Sequence, residues 1–137
     1  MKAFVLDAST ALGWLLDRPV LARALRARQL ILSGAIPVVP ALWRHEVSNG
    51  VVVAERRGRL TAEQIETLSK DLDDFADTLQ IDPVIVRSSV LIETARRTHL
   101  TVYDAAYVEL AARRGLPLAT LDEKLAEAAR RDKVTLI

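Results

Sequence analysis

Four carboxylates in this sequence occupy positions from which they can meet. Asp7 directly follows the apolar run of residues 4–6, and Asp122 directly follows a second apolar run. Glu46 falls in the first turns of a predicted helix, and Asp104 opens a later one. Ligands of open parallel α/β sheets bind at the carboxyl ends of the strands. Three of these acids belong at that edge by their own context, and the fourth needs only its helix start to face the same way.

Converging carboxylates restrict the chemistry. Two of them about 4 Å apart repel by roughly 4 kcal/mol at an effective dielectric near 20. Four would be untenable at neutral pH without a cation or raised pKa values. Oxygen ligands select hard ions such as Mg²⁺ or Mn²⁺, and with His45 and His99 as the only imidazoles a zinc site is poorly supported. Such a centre suits phosphodiester hydrolysis.

Each acid also has a purely structural alternative. Asp7, Asp104 and Asp122 all stand where an acidic side chain caps a helix or offsets its dipole. Glu46 is equally compatible with a solvent-facing helix position. Sequence position alone leaves both interpretations open.

Composition narrows the class of protein. The chain has 137 residues, half of them hydrophobic, which fits one domain, residues 1–137, with a core of its own. It has no cysteine, which excludes a thiol nucleophile, a disulfide framework and a cysteine-ligated zinc site. The longest apolar runs are far too short to span a membrane, and no signal peptide is visible. We therefore expect a cytoplasmic protein that has no contact with the membrane.

The basic residues are unevenly chosen although the net charge is only +1. There are 15 Arg against 4 Lys, and many Arg stand close together. These groups are Arg23-Arg26-Arg28, Arg56-Arg57-Arg59, Arg96-Arg97, Arg113-Arg114 and Arg130-Arg131. Arginine suits contacts to phosphate. The structural alternative is that these residues are solvated helix ends, where cations offset the helix dipole.

The hydrophobic pattern predicts alternating strands and helices. We predict strands over 2–6, 36–39, 118–120 and 134–137, and helices over 10–16, 20–32, 42–57, 61–79, 82–97, 103–114 and 123–131. The strands are short and apolar throughout, which is typical of a parallel sheet covered on both faces. The fold class is therefore α/β, a three-layer sandwich with a short central parallel sheet flanked by helices.

Four motifs resemble those of one known family, the PIN domains. Residues 5–9 (VLDAS) resemble its opening strand and D-x-S motif, and residues 45–49 (HEVSN) its second acidic motif. Residues 100–107 (LTVYDAAY) resemble the third motif, in which an Asp opens a helix. Residues 118–125 (LATLDEKL) resemble the T-x-D-x-x-L motif. The motifs stand in the family's order over nearly the whole chain, and their wording is most similar to VapC-type toxins of type II toxin–antitoxin pairs.

The resemblance implies an endoribonuclease that depends on Mg²⁺ or Mn²⁺. Its catalytic and metal-binding residues would be Asp7, Glu46, Asp104 and Asp122. Ser9 and Thr120 would orient metal-bound water or phosphate, and Asn49 would support Glu46 from the next helical turn. For Ser9 the alternative is an ordinary helix cap, and for Thr120 and Asn49 it is a structural role.

The resemblance also implies partners. The substrate would be RNA, with transfer, ribosomal and messenger RNA all open. An antitoxin protein would cover the cleft, and the chain would form a homodimer. A helical hairpin over residues 61–97 and the regions of Trp14 and Trp43 are candidate contact surfaces, although core packing is the other role for both tryptophans.

Three other functions fit parts of the pattern. A phosphatase of the haloacid dehalogenase type needs a second Asp two residues after Asp7, where this chain has Ser9. A receiver domain needs paired early acids and a Lys after a late strand, but Lys124 falls in a predicted helix. A non-catalytic PIN module that binds RNA or protein is the third alternative, and the full acidic set argues against it.

Overall fold

The computed structural model describes all 137 residues. The strands are β1 (Ala3–Leu6), β2 (Ile36–Val39), β3 (Gln80–Ile81) and β4 (Leu118–Ala119). The helices are α1 (Ala8–Leu16), α2 (Ala22–Leu32), α3 (Trp43–Arg56), α4 (Ala62–Ala76), α5 (Ser88–Thr98), α6 (Val102–Arg114) and α7 (Glu123–Arg131).

The strands form one parallel sheet in the order β3-β2-β1-β4. β1 is central: Val5 pairs with Val38 of β2 on one side and with Leu118 of β4 on the other. All three of these residues are fully buried. A sheet covered on both faces carries continuous apolar strands, because it has no solvent side. The predicted α/β architecture with a short parallel sheet is therefore confirmed.

Strand order also assigns the helices to two layers. The chain moves in one direction from β1 to β2 to β3 and then returns past β1 to β4. Right-handed crossovers therefore put α1–α4 on one face and α5–α7 on the other. The packing agrees: α1 contacts α2 and α3, and α3 contacts α4, whereas α6 contacts both α5 and α7.

Both tryptophans belong to the packed interior or its edge. Trp43 is 1% exposed, so it cannot form a contact surface. Trp14 is half-buried, donates its indole N–H to the Ala24 carbonyl at 2.7 Å, and packs edge-on against Phe75 with ring centroids 5.7 Å apart. The role in core packing is thus confirmed for Trp43.

Helix ends largely follow the sequence signals. Thr61 and Gln64 form a reciprocal capping box at the start of α4, as the sequence predicts. Gly115 ends α6 with φ 63°, a left-handed conformation that glycine adopts without steric cost. The predicted helix at Val20 is wrong at its start, because α2 begins at Ala22 and Pro19 lies ahead of the helix.

The predicted helix from Asp82 to Arg97 is also wrong in its first turns. β3 precedes it, residues 82–87 are not helical, and α5 begins at Ser88. The Asp82 amide donates to the Val39 carbonyl at 2.9 Å and so continues the pairing of β3 with β2. A strand thus separates α4 from α5, and the expected helical hairpin over 61–97 does not exist.

The last predicted strand, 134–137, is reduced to a single parallel bridge between Leu136 and Leu118. The chain therefore continues the sheet beyond β4 by one residue pair. No helix in the structure is both long and apolar enough to cross a membrane.

We predict that Gly50→Ala destabilises the protein through the α1–α3 contact. A Cβ at Gly50 would lie 2.5 and 2.7 Å from the two terminal methyls of Leu12. Overpacking typically costs about 1–3 kcal/mol, more than the roughly 1 kcal/mol that alanine gains over glycine inside a helix. Urea denaturation should therefore show a net loss of about 1 kcal/mol.

The matched background is Leu12→Ala, which removes the clashing methyls. In that background Gly50→Ala should stabilise the protein by up to roughly 1 kcal/mol, since only the helix propensity term remains. Equal effects of Gly50→Ala in both backgrounds would show that the two helices do not meet closely at this point.

Candidate active site

The sheet has one switch point, between β1 and β4. From β1 the chain crosses towards β2, while β4 is added on the other side of β1. Where the connections after two neighbouring strands run in opposite directions, they leave a crevice at the carboxyl ends of those strands. Open α/β sheets bind their ligands in this crevice. Asp7 follows β1 and residues 120–122 follow β4 at this crevice. The Asp7 amide donates to the Ala119 carbonyl at 3.0 Å and ties the two strand ends together.

Asp7 is a buried carboxylate, only 4% exposed. Its Oδ2 accepts the hydroxyls of Ser9 and Thr120, each at 2.6 Å. Burial raises the pKa of Asp7, the two hydroxyls oppose that rise, and the charge of Asp104 adds to it. Although Asp7 precedes α1, its side chain makes no capping hydrogen bond. The capping role that the sequence left open for Asp7 is therefore excluded.

Ser9 and Thr120 join the two loops of the crevice. Ser9 Oγ accepts the Leu121 amide at 2.9 Å, and Thr120 Oγ1 accepts the Asp122 amide at 3.0 Å. Each hydroxyl thus donates to Asp7 and accepts from the backbone that follows β4. Ser9 lies inside α1, which begins at Ala8, so it is not the helix cap.

Asp122 does cap its helix. Its Oδ1 accepts the Leu125 amide at 3.1 Å at the start of α7. Its other carboxylate oxygen has no hydrogen-bond donor from the protein. Asp122 therefore keeps one oxygen for the crevice while the other fixes the helix start.

Asp104 lies in the first turn of α6 but does not cap it. Thr101 is the cap, and its hydroxyl oxygen accepts the Asp104 amide at 3.1 Å. The Asp104 carboxylate is half-buried, and its pKa is raised by burial and by the charge of Asp122. The capping role that the sequence left open for Asp104 is excluded as well.

Glu46 is held by a tyrosine that the sequence reasoning missed. The Tyr107 hydroxyl donates to Glu46 Oε1 at 2.5 Å and links α6 to α3. Burial raises the pKa of Glu46, the Tyr107 hydroxyl lowers it, and the charges of Asp7 and Asp104 raise it further. Tyr107 is fully buried, and burial together with Glu46 raises its own pKa, so the phenol stays protonated and keeps donating. The available signal was its spacing, three residues after Asp104 and so on the same side of the helix.

The four acids share one electrostatic neighbourhood. The charge of Asp104 raises the pKa of Asp7, the charges of Asp7 and Asp104 both raise the pKa of Glu46, and the charge of Asp122 raises the pKa of Asp104. No basic side chain forms an ion pair with any of them. No three Asp, Glu or His side chains are spaced to hold one metal ion together. Asp7, Glu46 and Asp122 each have separate hydrogen-bond donors, and the four-acid metal site stays a prediction.

Asn49 makes no hydrogen bond to Glu46. It is exposed on α3, one turn beyond Glu46, and both line an open pocket with His45. Its supporting role therefore also stays a prediction.

Several arginines of the predicted groups are engaged in ion pairs. Arg113 contacts Glu109 and Asp82, both at 2.6 Å, and Arg97 pairs with Glu93 and Asp132. Arg23 pairs with Glu123 at the start of α7, and Arg59 pairs with Asp17. Arg130-Arg131 is the one group in which neither arginine forms an ion pair. For the paired arginines the structural interpretation is favoured over contact with phosphate.

Comparison with known proteins shows which family and fold the chain resembles. The family model described as PIN domain matches residues 4–131. Ribonuclease VapC3 of Pyrobaculum aerophilum is 35% identical over 86 residues, which are 63% of this chain and 66% of that protein, just under two thirds of its length. The crystal structure of PAE2754 from Pyrobaculum aerophilum superposes with a TM-score of 0.69 at 20% identity, covering 94% of this chain and 86% of that one, and so shares the fold.

We predict that Tyr107→Phe lowers the free energy of unfolding because Glu46 loses its hydrogen-bond donor. The variant keeps the buried ring but removes the donor to a half-buried carboxylate. A hydrogen bond to a charged group contributes about 1.5–3 kcal/mol, so urea denaturation at pH 7 should show a loss in that range.

The control is Tyr103→Phe on the same helix, since Tyr103 is 64% exposed and has no hydrogen-bond partner. It should leave the free energy of unfolding unchanged. Equal stability of both variants would mean that the Tyr107 hydroxyl does not hold Glu46.

Proposed function

The chain belongs to the PIN domain family, and from that premise we propose that it is an endoribonuclease that uses Mg²⁺ or Mn²⁺ and acts as the toxin of a toxin–antitoxin pair. Its similarity to Ribonuclease VapC3 supports RNA as the substrate. The observation that carries the proposal is the buried carboxylate of Asp7 at the switch point, where the charge of Asp104 acts on it and no cationic side chain pairs with it.

The residues present suit a hard divalent cation. All donors are carboxylate or hydroxyl oxygens, and the local negative charge is not compensated by any Lys, Arg or His. Mg²⁺ commonly keeps several waters and binds directly to only one or two carboxylates. Acids that do not all converge on one point are consistent with that mode. Asp7, Glu46, Asp104 and Asp122 would hold the ion, directly or through water.

The cation and the side chains around it would have different roles in the reaction. When bound, the cation would neutralise charge on the phosphate and lower the pKa of the attacking water. Ser9 and Thr120 fix one oxygen of Asp7, and Tyr107 fixes one oxygen of Glu46. The raised pKa values of Glu46 and Asp104 suit either carboxylate for accepting a proton from water.

The same charge pattern fits a protein partner. An antitoxin that places a basic side chain among the acids would relieve their repulsion and block the cation. A second contact surface for it is the groove lined by Trp14, Leu60 and Leu68, where α1 meets α4. We further propose a homodimer and a cytoplasmic location, as for other VapC-type toxins.

We predict discrete, metal-dependent cuts when the purified protein is incubated with total cellular RNA and Mn²⁺ or Mg²⁺. Asp7→Asn should remove them, with a loss beyond the roughly 10–100-fold that is typical of residues behind a metal ligand. Asp71→Asn, an exposed acid on α4, is the matched control and should cut normally. Mapping the new ends identifies the class of RNA.

Two results would contradict this. Cutting that survives EDTA or Asp7→Asn would remove the acids from the chemistry. RNA binding without any cutting, in a protein that binds the cation, would favour the non-catalytic PIN module.

We predict opposite effects of Asp104→Asn without and with the cation. Burial and the charge of Asp122 raise the pKa of Asp104 above its ordinary 3.8. The protonated carboxyl group therefore adds to the free energy of unfolding at low pH, and this contribution is lost as the pH rises through the raised pKa. At pH 7 without metal, the neutral Asn should therefore raise the melting temperature or leave it unchanged. The gain should vanish below pH 3.8.

With the cation present, Asp104→Asn should instead make the protein less stable than the unmodified one. A ligand at a hundred times its Kd stabilises the native state by about 2.7 kcal/mol, and Asp104→Asn should lose most of that gain. Asp71→Asn should keep it. An Asp104→Asn protein as metal-stabilised as the unmodified one would exclude Asp104 from the site.

A further inference from the structure

The open pocket of Glu46, Asn49 and His45 adjoins the acids on the side of α3. It has a volume of about 410 Å³ and is lined by Leu42, His45, Glu46, Asn49 and Tyr103. The first four stand at positions i, i+3, i+4 and i+7, so they form one face of the start of α3. Tyr103 comes from the first turn of α6 and closes the pocket from the other side.

The lining chemistry indicates a planar ligand without negative charge. Tyr103 presents an aromatic ring that is 64% exposed and has no hydrogen-bond partner, so neither core packing nor an internal bond explains it. Leu42 adds an apolar contact. His45 and Asn49 are exposed, and neither side chain hydrogen-bonds to the protein, so both are free to donate and accept. No Lys or Arg lines the pocket, which argues against a phosphate in it.

The pocket meets the group of acids at Glu46. Glu46 belongs to its wall, and Tyr103 is the residue directly before Asp104. The charges of Asp7 and Asp104 both act on Glu46, so a ligand against this wall of the pocket lies near the acids. A nucleotide whose phosphate reaches the acids would thus bring its own or the neighbouring base to this pocket.

We propose that this pocket binds one unpaired nucleobase of the RNA next to the cleaved phosphate, with Tyr103 stacking on its face and Asn49 and His45 contacting its edge. The inference rests on the proposed function, because it takes RNA as the substrate. Unpaired bases are recognised by stacking on aromatic side chains and by hydrogen bonds to their edges. A base held in this way cannot be paired, so the pocket restricts cleavage to single strands and loops.

The test compares pocket variants on a short single-stranded RNA that contains a mapped cut site. Tyr103→Ala should raise KM by roughly 5- to 150-fold, the range for loss of one base stack. Tyr103→Phe keeps the ring and should stay within about twofold, because stacking needs only the aromatic face. Val102→Ala, an exposed neighbour outside the pocket, is the matched control and should behave like the unmodified protein.

Two further measurements separate the pocket from the metal site. Stabilisation of Tyr103→Ala by Mn²⁺ should equal that of the unmodified protein, which shows that the acids are intact. An abasic nucleotide at the position that fills the pocket should reproduce the KM effect, and Tyr103→Ala should then have no additional effect. Asn49→Ala should flatten the base preference at that position.

Different results overturn different claims. If the unmodified protein cuts RNA and Tyr103→Ala has the same KM and cut-site preference, the nucleobase pocket is wrong while the nuclease stands, and a protein partner becomes the occupant to test. If single-stranded RNA binds through Tyr103 in EDTA but is never cut with metal, the pocket stands and the nuclease is wrong.

Discussion

The burial of Asp7 is the constraint on which the rest of the site depends. A carboxylate at the end of a fully covered central strand loses most of its hydration, and burial disfavours its charge. The hydroxyls of Ser9 and Thr120 offset that cost, and each also accepts an amide of the loop after β4. The interactions that make the buried charge tolerable therefore also lock the two strands that create the crevice.

Repulsion among the other acids is handled locally. Tyr107 donates to Glu46, and the Leu125 amide donates to Asp122, so each of these two carboxylates has a neutral donor of its own. Hydrogen bonds of this kind stabilise charge without cancelling it, so the crevice remains negative. If the proposed cation binds here, the uncompensated charge is an example of the usual relation in which a functional site costs stability.

Sequence reasoning predicted the elements with strong patterns and missed those defined by tertiary contacts. β2 and α7 have the predicted bounds, because continuous apolar runs and helical periodicity are local signals. β3 has two exposed residues and no pattern, and it exists because Asp82 and its neighbours pair with β2. The four acids were predicted from their local context and from the resemblance to PIN domains, but Tyr107 was not, since a buried aromatic residue in a helix looks like ordinary core until its hydroxyl is located.

Helix starts explain why acids can stand in this crevice at all. An acid in a first helical turn is favoured by about 0.3–1 kcal/mol, whether or not it caps the helix. At α6 Thr101 supplies the capping hydrogen bond. The carboxylate of Asp104 therefore interacts favourably with the helix dipole while neither of its oxygens is used to cap the helix. At α7 no such substitute exists, and Asp122 uses Oδ1 as the cap. Whether an acid also caps its helix thus decides how many carboxylate oxygens it can offer to a ligand.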